Sequence, residues 1–293
     1  MNIVQLTDGL GNQLFQYAFA LALQKQTGRE VVLDRSWFPE FGGRLRKATP
    51  RVYGMGCYSL RLPMYTAAQT HAFLYGKGLL GIIREKLHCK KKLLSESRCS
   101  LSPLLYADDT VLKGFYQQAC YADSVRPLLL EDLSLPECSL NAENLRILAE
   151  IKQQGSKAVF VHIRRGDYVN PDNVNVFGVC SAEYYAKAEA LLAEKIGHDL
   201  HLFIFSDDPE WVKENYRTSF PFTCVDINDA DAAHFDINLM RHCSHAIIAN
   251  STFSWWGAWL ISNPDKIVVA PSSWRADGTN TGGLIPDVWY TII

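Results

Sequence analysis

The stretch "VFVHIRRGDYV" (159–169) sets a histidine and two adjacent arginines at the exit of an apolar run. A guanidinium is costly to bury without a partner, so such a pair is either solvated or placed to meet an anion. Its planar fork of N–H donors pairs bidentately with phosphate. Further polar clusters close other apolar runs: "SDDP" (206–209), "INDAD" (227–231), "NSTFSWW" (250–256) and "APSSW" (270–274). In the third of these, Ser251 reads as the N-cap of an apolar helix with Thr252 just inside it. Unpaired backbone N–H groups and two hydroxyls would then face one spot, a ready phosphate site. Arg164, Arg165 and this helix end together suffice to hold a diphosphate without a metal. Plainer readings stand beside it: arginines paired with Asp167 or Asp236, an ordinary helix cap, and His162 as a satisfied core histidine.

Those clusters act together only if the chain brings them to one place. Strand-like runs "AVFVHI" (158–163), "LHLFIFS" (200–206), "FTCVDI" (222–227), "HAIIAN" (245–250) and "KIVVAP" (266–271) alternate with helical patterns. The helices begin near Ser181, at "DDPEW" with Pro209 in the first turn, around "AAHFDINLMRHC" (232–243) and at "TFSWWGAWLI" (252–261). This alternation predicts a parallel sheet with right-handed crossovers, and ligands of such sheets sit at the carboxyl ends of the strands. Every cluster named above lies at such an end. The first 34 residues read as strand "NIVQL", turn "TDGLGNQ", a helix over 14–26 stopped by Gly28, and strand "EVVLD". Residues 36–150 are less regular, and the polar "KQQGSK" (152–157) is a plausible boundary, giving domains 1–153 and 154–293.

The chain has 293 residues, a net charge of -2 and 48% hydrophobic residues, with no repeat or low-complexity tract. That charge argues against a nucleic-acid protein held by bulk electrostatics. The eight cysteines show neither CxxC spacing nor clustering with histidine, and several sit in apolar runs, so they read as reduced, mostly core residues of a cytoplasmic protein. The start "MNIVQL" lacks the basic and apolar regions of a signal peptide. No run approaches the ~18–20 apolar residues of a membrane span. Residues 77–98, "KGLLGIIREKLHCKKKLLSESR", are locally basic. They read as a solvated helix face or as a surface that touches anionic lipid.

Three motifs point elsewhere. "GLGNQL" (9–14), with Asp34 at the next strand end, approaches the dinucleotide fingerprint, but Leu14 stands where the third glycine belongs. Asp229 and Asp231 form a DxD pair of the kind that holds a divalent metal, yet carboxylates equally favour a helix start. Asp207 and Asp208 suit acid–base work, or a cap followed by proline. No P-loop and no G-x-S-x-G elbow is present.

Four segments in order, "GLGNQLFQYAFA" (9–20), "VHIRRGDYV" (161–169), "FSDDPEWV" (205–212) and "DINLMRHCSHAIIANSTFSWWGAWL" (236–260), resemble the α-1,2-fucosyltransferases of glycosyltransferase family 11, bacterial type. The resemblance implies α/β, GT-B architecture: two Rossmann-like domains facing a cleft, the first on the acceptor side and the second binding GDP-fucose. It implies inverting, metal-independent transfer of L-fucose from GDP-β-L-fucose to the 2-hydroxyl of a terminal galactose, with no further cofactor. Carried onto this chain, Arg164 and Arg165 would hold the β-phosphate and stabilise the departing GDP. His162 and Asp236 would contact guanine, while Ser251, Thr252 and Phe253 would bind phosphate and ribose. Gly11, Asn12 and Gln13 would line the cleft near the acceptor, with Asn12 orienting its hydroxyl. Asp8, Asp167, Asp207 and Asp208 are candidates for the proton acceptor, and Asp167 is the one taken as catalytic. The expected partners are GDP-fucose and a galactose-terminated, lipid-linked oligosaccharide of a surface polysaccharide such as O-antigen. Contact with the inner membrane would run through residues 77–98. Two alternatives remain: a GDP-fucose transferase of another linkage, and a non-catalytic sugar-nucleotide or glycan-binding protein on the same fold.

Overall fold

The computed structural model describes residues 1–41, 51–78, 83, 93–95, 109–279 and 281–293. They form two compact units: residues 1–134 with 282–284, and residues 135–281 with 285–293. Most of the basic stretch 77–98 lies outside the described residues.

In the first unit, β1 (Asn2–Gln5), α1 (Leu10–Thr27), β2 (Val31–Asp34), β3 (Met64–Tyr65), α2 (Ala67–Tyr75), β4 (Leu93–Ser95), β5 (Thr110–Lys113), α3 (Ala119–Ser124) and α4 (Arg126–Asp132) follow in order. The five strands make a parallel sheet in the order β3-β2-β1-β5-β4. Helix α1 starts four residues before the expected Leu14. Asp8 takes the turn alone at φ 68°, and the Gly9 carbonyl then accepts from the N–H groups of Asn12 (3.0 Å) and Gln13 (3.1 Å).

The second unit runs α5 (Ala142–Gln154), β6 (Ala158–Ile163), α6 (Pro171–Phe177), α7 (Ala182–Ile196), β7 (His201–Ser206), α8 (Pro209–Asn215), β8 (Phe222–Val225), α9 (Ala233–Met240), β9 (His245–Ile247), α10 (Thr252–Leu260), β10 (Val268–Pro271) and β11 (Tyr290–Ile292). Its parallel sheet has the order β11-β10-β9-β6-β7-β8. Both units are therefore Rossmann-like α/β, the pair of building blocks that a GT-B chain requires. The boundary falls at 134/135, not at 153/154. Helix α5 belongs to the second unit because it buries Asn144, Ile147, Leu148 and Ile151 there; "KQQGSK" is only its turn into β6. Among the described residues, no helix is long and apolar enough to cross a membrane.

Candidate active site

Strand β6 lies in the middle of its sheet, and Ala158, Val159, Phe160 and Val161 are wholly buried. Such a strand is apolar on both faces, so its first polar residues mark its exit. Ile163 lies opposite Ser206 of β7, which brings Arg164 and Arg165 out beside Asp207 and Asp208. Arg164 is held by two carboxylates: Nη1 lies 2.9 Å from Asp207 Oδ2, and Nη2 donates to Asp167 Oδ1 at 2.5 Å. Burial works against its charge, but Asp207 and Asp167 outweigh burial and raise its pKa, so it stays a cation. Five N–H donors fan out from a guanidinium, so the two carboxylates fix its plane without exhausting it. Arg165 lies over Trp211, its Cζ 3.9 Å from a ring centroid, and its Nε donates to Asp208 at 3.3 Å. Its backbone N–H donates to Asp207 Oδ1 at 2.8 Å.

Gly166 makes this approach possible. A Cβ there would stand 2.2 Å from Asp207 Oδ2 and 3.0 Å from its Cγ. In all, three carboxylates surround two guanidiniums, so the site is an array of aimed N–H groups and not a patch of net positive charge. Asp167, the expected proton acceptor, lies in a short 3-10 turn (Gly166–Val169) three residues after Arg164, and its carboxylate is engaged with that arginine. Asp207 and Asp208 are engaged likewise. Asp208 also caps α8 through the Trp211 N–H, with Pro209 at the first position, as the cap reading expects.

The exit of β9 delivers the second half of the site. Asn250 is buried, and its Nδ2 donates to the carbonyls of Phe177 (2.7 Å), Trp274 (3.3 Å) and Gly178 (3.4 Å). Its own carbonyl accepts from Tyr168 Oη at 3.2 Å. One amide thus ties together the loops after β6, β9 and β10. Replacing Asn250 by alanine leaves those carbonyls short of a donor, and is expected to cost about 2 kcal/mol of stability, read from denaturant unfolding. Ser251 is the N-cap of α10, its Oγ accepting from the Phe253 N–H at 3.3 Å; Thr252 opens the helix. The Phe253 ring lies against His162, centroids 5.6 Å apart.

His162 is 4% exposed and its Nδ1 is buried without a hydrogen-bond partner. Burial, reinforced by the Arg164 charge, brings its pKa down to about 3, so the imidazole is neutral at any physiological pH. A neutral ring with an unused nitrogen is a hydrogen-bonding element and a poor proton acceptor. Asp236, in the first turn of α9, is partly buried and accepts from Asn228 Nδ2 at 2.8 Å. Burial pushes its pKa up to about 7, with Asp226 adding to the rise and Asn228 opposing it. The DxD pair is a cap here: Asp229 Oδ1 accepts from the N–H groups of Asp231 (3.1 Å) and Ala232 (2.9 Å).

The remaining expected site residues lie in the first unit and differ in character. Asn12 is partly exposed and its Oδ1 accepts from Gln117 Nε2 at 2.8 Å. Gly11 is buried. Gln13 is wholly buried, and all three of its contacts are structural: Nε2 to the carbonyls of Asp8 (2.7 Å) and Val52 (3.0 Å), Oε1 from the Gly54 N–H (3.0 Å). It anchors residues 52–54 to α1 instead of lining a surface. Tyr168 and Asn228 carry no signal in the residue pattern that marks them for the site. Trp211 does: it is an indole three residues after a capping aspartate at a strand end.

The sequence model of glycosyl transferase family 11 matches residues 108–283. An Escherichia coli O-antigen biosynthesis glycosyltransferase, WbnK, is 31% identical over 98% of this chain and 99% of its own. An Escherichia coli alpha-1,2-colitosyltransferase is 29% identical, covering 99% of this chain and 98% of that one. A Caenorhabditis elegans galactoside 2-alpha-L-fucosyltransferase is 24% identical over 88% of this chain and 68% of its own. The family match takes in the arginine pair, the β7 aspartates and the α10 cap, and the bacterial relatives run the length of the chain, so this protein belongs to glycosyl transferase family 11.

Proposed function

We propose that this glycosyltransferase moves L-fucose from GDP-β-L-fucose to the 2-hydroxyl of a terminal β-galactose, with inversion and without a metal, in the assembly of an O-antigen-type glycan. The observation that carries the reading is the fixed pair Arg164 and Arg165 beside the N-terminus of α10. When the bond from the anomeric carbon to the β-phosphate oxygen breaks, negative charge grows on the departing GDP. Donors already aimed at that charge stabilise it without reorganising. The acceptor oxygen bonds on the opposite face of an oxocarbenium-like carbon, giving the α-fucoside and passing its proton to solvent water. Arg164 and Arg165 serve the diphosphate, and Ser251, Thr252 and Phe253 the phosphate and ribose. The unused Nδ1 of His162 and the carboxylate of Asp236 serve guanine. Asn12 serves the acceptor hydroxyl. Asp167 holds Arg164 in place.

The colitosyltransferase relative favours a second donor, since colitose lacks one hydroxyl of fucose. The test is incubation with GDP-fucose or GDP-colitose and a panel of galactose-terminated acceptors, with and without EDTA, and NMR assignment of the new linkage. An α-1,2-fucoside formed equally with EDTA is expected. Preference for GDP-colitose would replace the donor, and loss of transfer in EDTA would restore a metal role for Asp229 and Asp231. GDP binding with no transfer to any acceptor would leave the non-catalytic binding reading.

A further inference from the structure

Behind Asp236 stands a chain of amides whose polarity is fixed from a backbone donor. Asn141 caps α5, and its Oδ1 accepts from the Asn144 N–H at 2.8 Å, so that end of Asn141 is an acceptor. The Asn144 side-chain atom facing the same oxygen, at 2.9 Å, must then be its Nδ2. That Nδ2 also donates to Asn228 Oδ1 at 2.8 Å, and Asn228 Nδ2 returns the bond to Asn144 Oδ1 at 3.0 Å. The amide of Asn228 therefore has one orientation open to it, and its Nδ2 donates onward to Asp236 Oδ1 at 2.8 Å. Asn144 is wholly buried, so the whole relay is anchored in the core.

A donor aimed at Asp236 favours its carboxylate over its protonated form. The distinction matters for base recognition. The guanine edge offers N1–H and N2–H donors and asks for an acceptor, whereas the adenine edge presents a bare N1. We propose that Asn228, oriented by Asn144, is a positioning residue that keeps Asp236 an acceptor and so sets the preference for guanine over adenine. This rests on the reading of Asp236 as a base-contacting group.

The surroundings of Asp236 oppose Asn228. Asp226, at the exit of β8, raises the carboxyl's pKa along with burial, and is itself within 3.3 Å of Lys213. On the same helix, burial lowers the pKa of His234. Asp229 and Asp231 are exposed in the preceding turn, and α10, packed on α9, carries no ionisable side chain. From α5 the facing group is Asn144; Arg146 pairs with Glu150, Lys152 with Glu137, and Glu143 is exposed.

The test is calorimetric titration of GDP and ADP across pH into the wild type, Asn228→Ala and Asp236→Asn. The two nucleotides share a diphosphate, so the ratio of their affinities cancels its titration. In the wild type this ratio should rise as pH passes through neutrality. Asn228→Ala should move the rise to higher pH, lower the ratio near neutrality roughly tenfold as one hydrogen bond to a charged group is lost, and recover it in alkali. Asp236→Asn should be flat. Asn144→Ala should move the rise in the same direction, and it serves as the second variant should Asn228→Ala melt early. A pH profile unchanged by Asn228→Ala, or a loss that alkali does not restore, would overturn the inference and leave the function standing. Failure of the wild type to prefer GDP at any pH would overturn the base-contact reading itself.

Discussion

Arg164→Ala is expected to lower turnover at least ~100-fold while the protein still folds. Loss of a single donor aimed at developing charge typically removes about 2.7–4 kcal/mol of transition-state stabilisation, which is that range of rate. Arg164 is the better placed of the two arginines, because Asp207 and Asp167 fix its plane from two sides, whereas Arg165 has one side-chain carboxylate, Asp208, at 3.3 Å. Truncation also leaves those two carboxylates without their shared cation, at the place where an anion must enter. The effect should therefore fall on kcat and on GDP affinity together. Arg164→Lys tests the geometry separately. An ammonium keeps the charge but is a point donor and cannot present a fork, so most of the loss should remain. Circular dichroism should show both variants folded. A fall of only a few-fold for Arg164→Ala would remove the role given to this side chain.

Gly166→Ala is expected to lower turnover by roughly ten- to a hundredfold, although it adds a single methyl group. The new Cβ would meet Asp207 Oδ2 at 2.2 Å, which no side chain tolerates, so Asp207 must rotate away. In doing so it gives up Arg164 (2.9 Å) and the backbone N–H of Arg165 (2.8 Å), two contacts that involve charge. Each is worth about 1.5–3 kcal/mol where it is well formed. Both contacts are lost from the folded state, so the melting temperature should fall by a few degrees as well, while Arg164 loses one of its two supports. Gly56→Ala is the control, since its Cβ would make only an ordinary 3.8 Å contact with Tyr53. Steady-state kinetics with GDP-fucose and thermal melts of both variants decide the matter. Full activity of Gly166→Ala would show that Asp207 is not needed to hold the arginine.

The second unit was legible because its central strands are buried on both faces. A run such as "AVFVHI" admits few other interpretations, and its polar successors can only be at a strand exit. The register of β6 on β7 then follows from the paired ends "HIRR" and "FSDD". What could not be read is what depends on backbone conformation or on distant partners. The early start of α1 rests on Asp8 adopting φ 68°, which nothing in "TDGLGNQ" specifies. A boundary at the polar turn 152–157 fails because α5 before it carries an apolar stripe whose partner, α9, lies far along the chain. Helix α6 and strand β11, at seven and three residues, are too short for a period to show. Gln13 is expected at the cleft only because the resemblance places it there; its carbonyl and N–H partners at 8, 52 and 54 are out of view in the sequence. The Arg164–Asp167 pair was legible, because two oppositely charged residues three apart come within reach as soon as the chain turns at the strand exit.

The excess of carboxylates around the arginine pair bears on how the nucleotide arrives. With Asp167, Asp207 and Asp208 against Arg164 and Arg165, and -2 on the whole chain, little field reaches outward to draw in an anion. Encounter is then unsteered diffusion, and the association rate should be nearly indifferent to ionic strength, in contrast to sites that gather their ligands by long-range attraction. Sulfate, chloride and the many other anions of a cell meet the same indifference. Only a ligand that brings sugar, base and diphosphate at once engages enough short-range donors to stay.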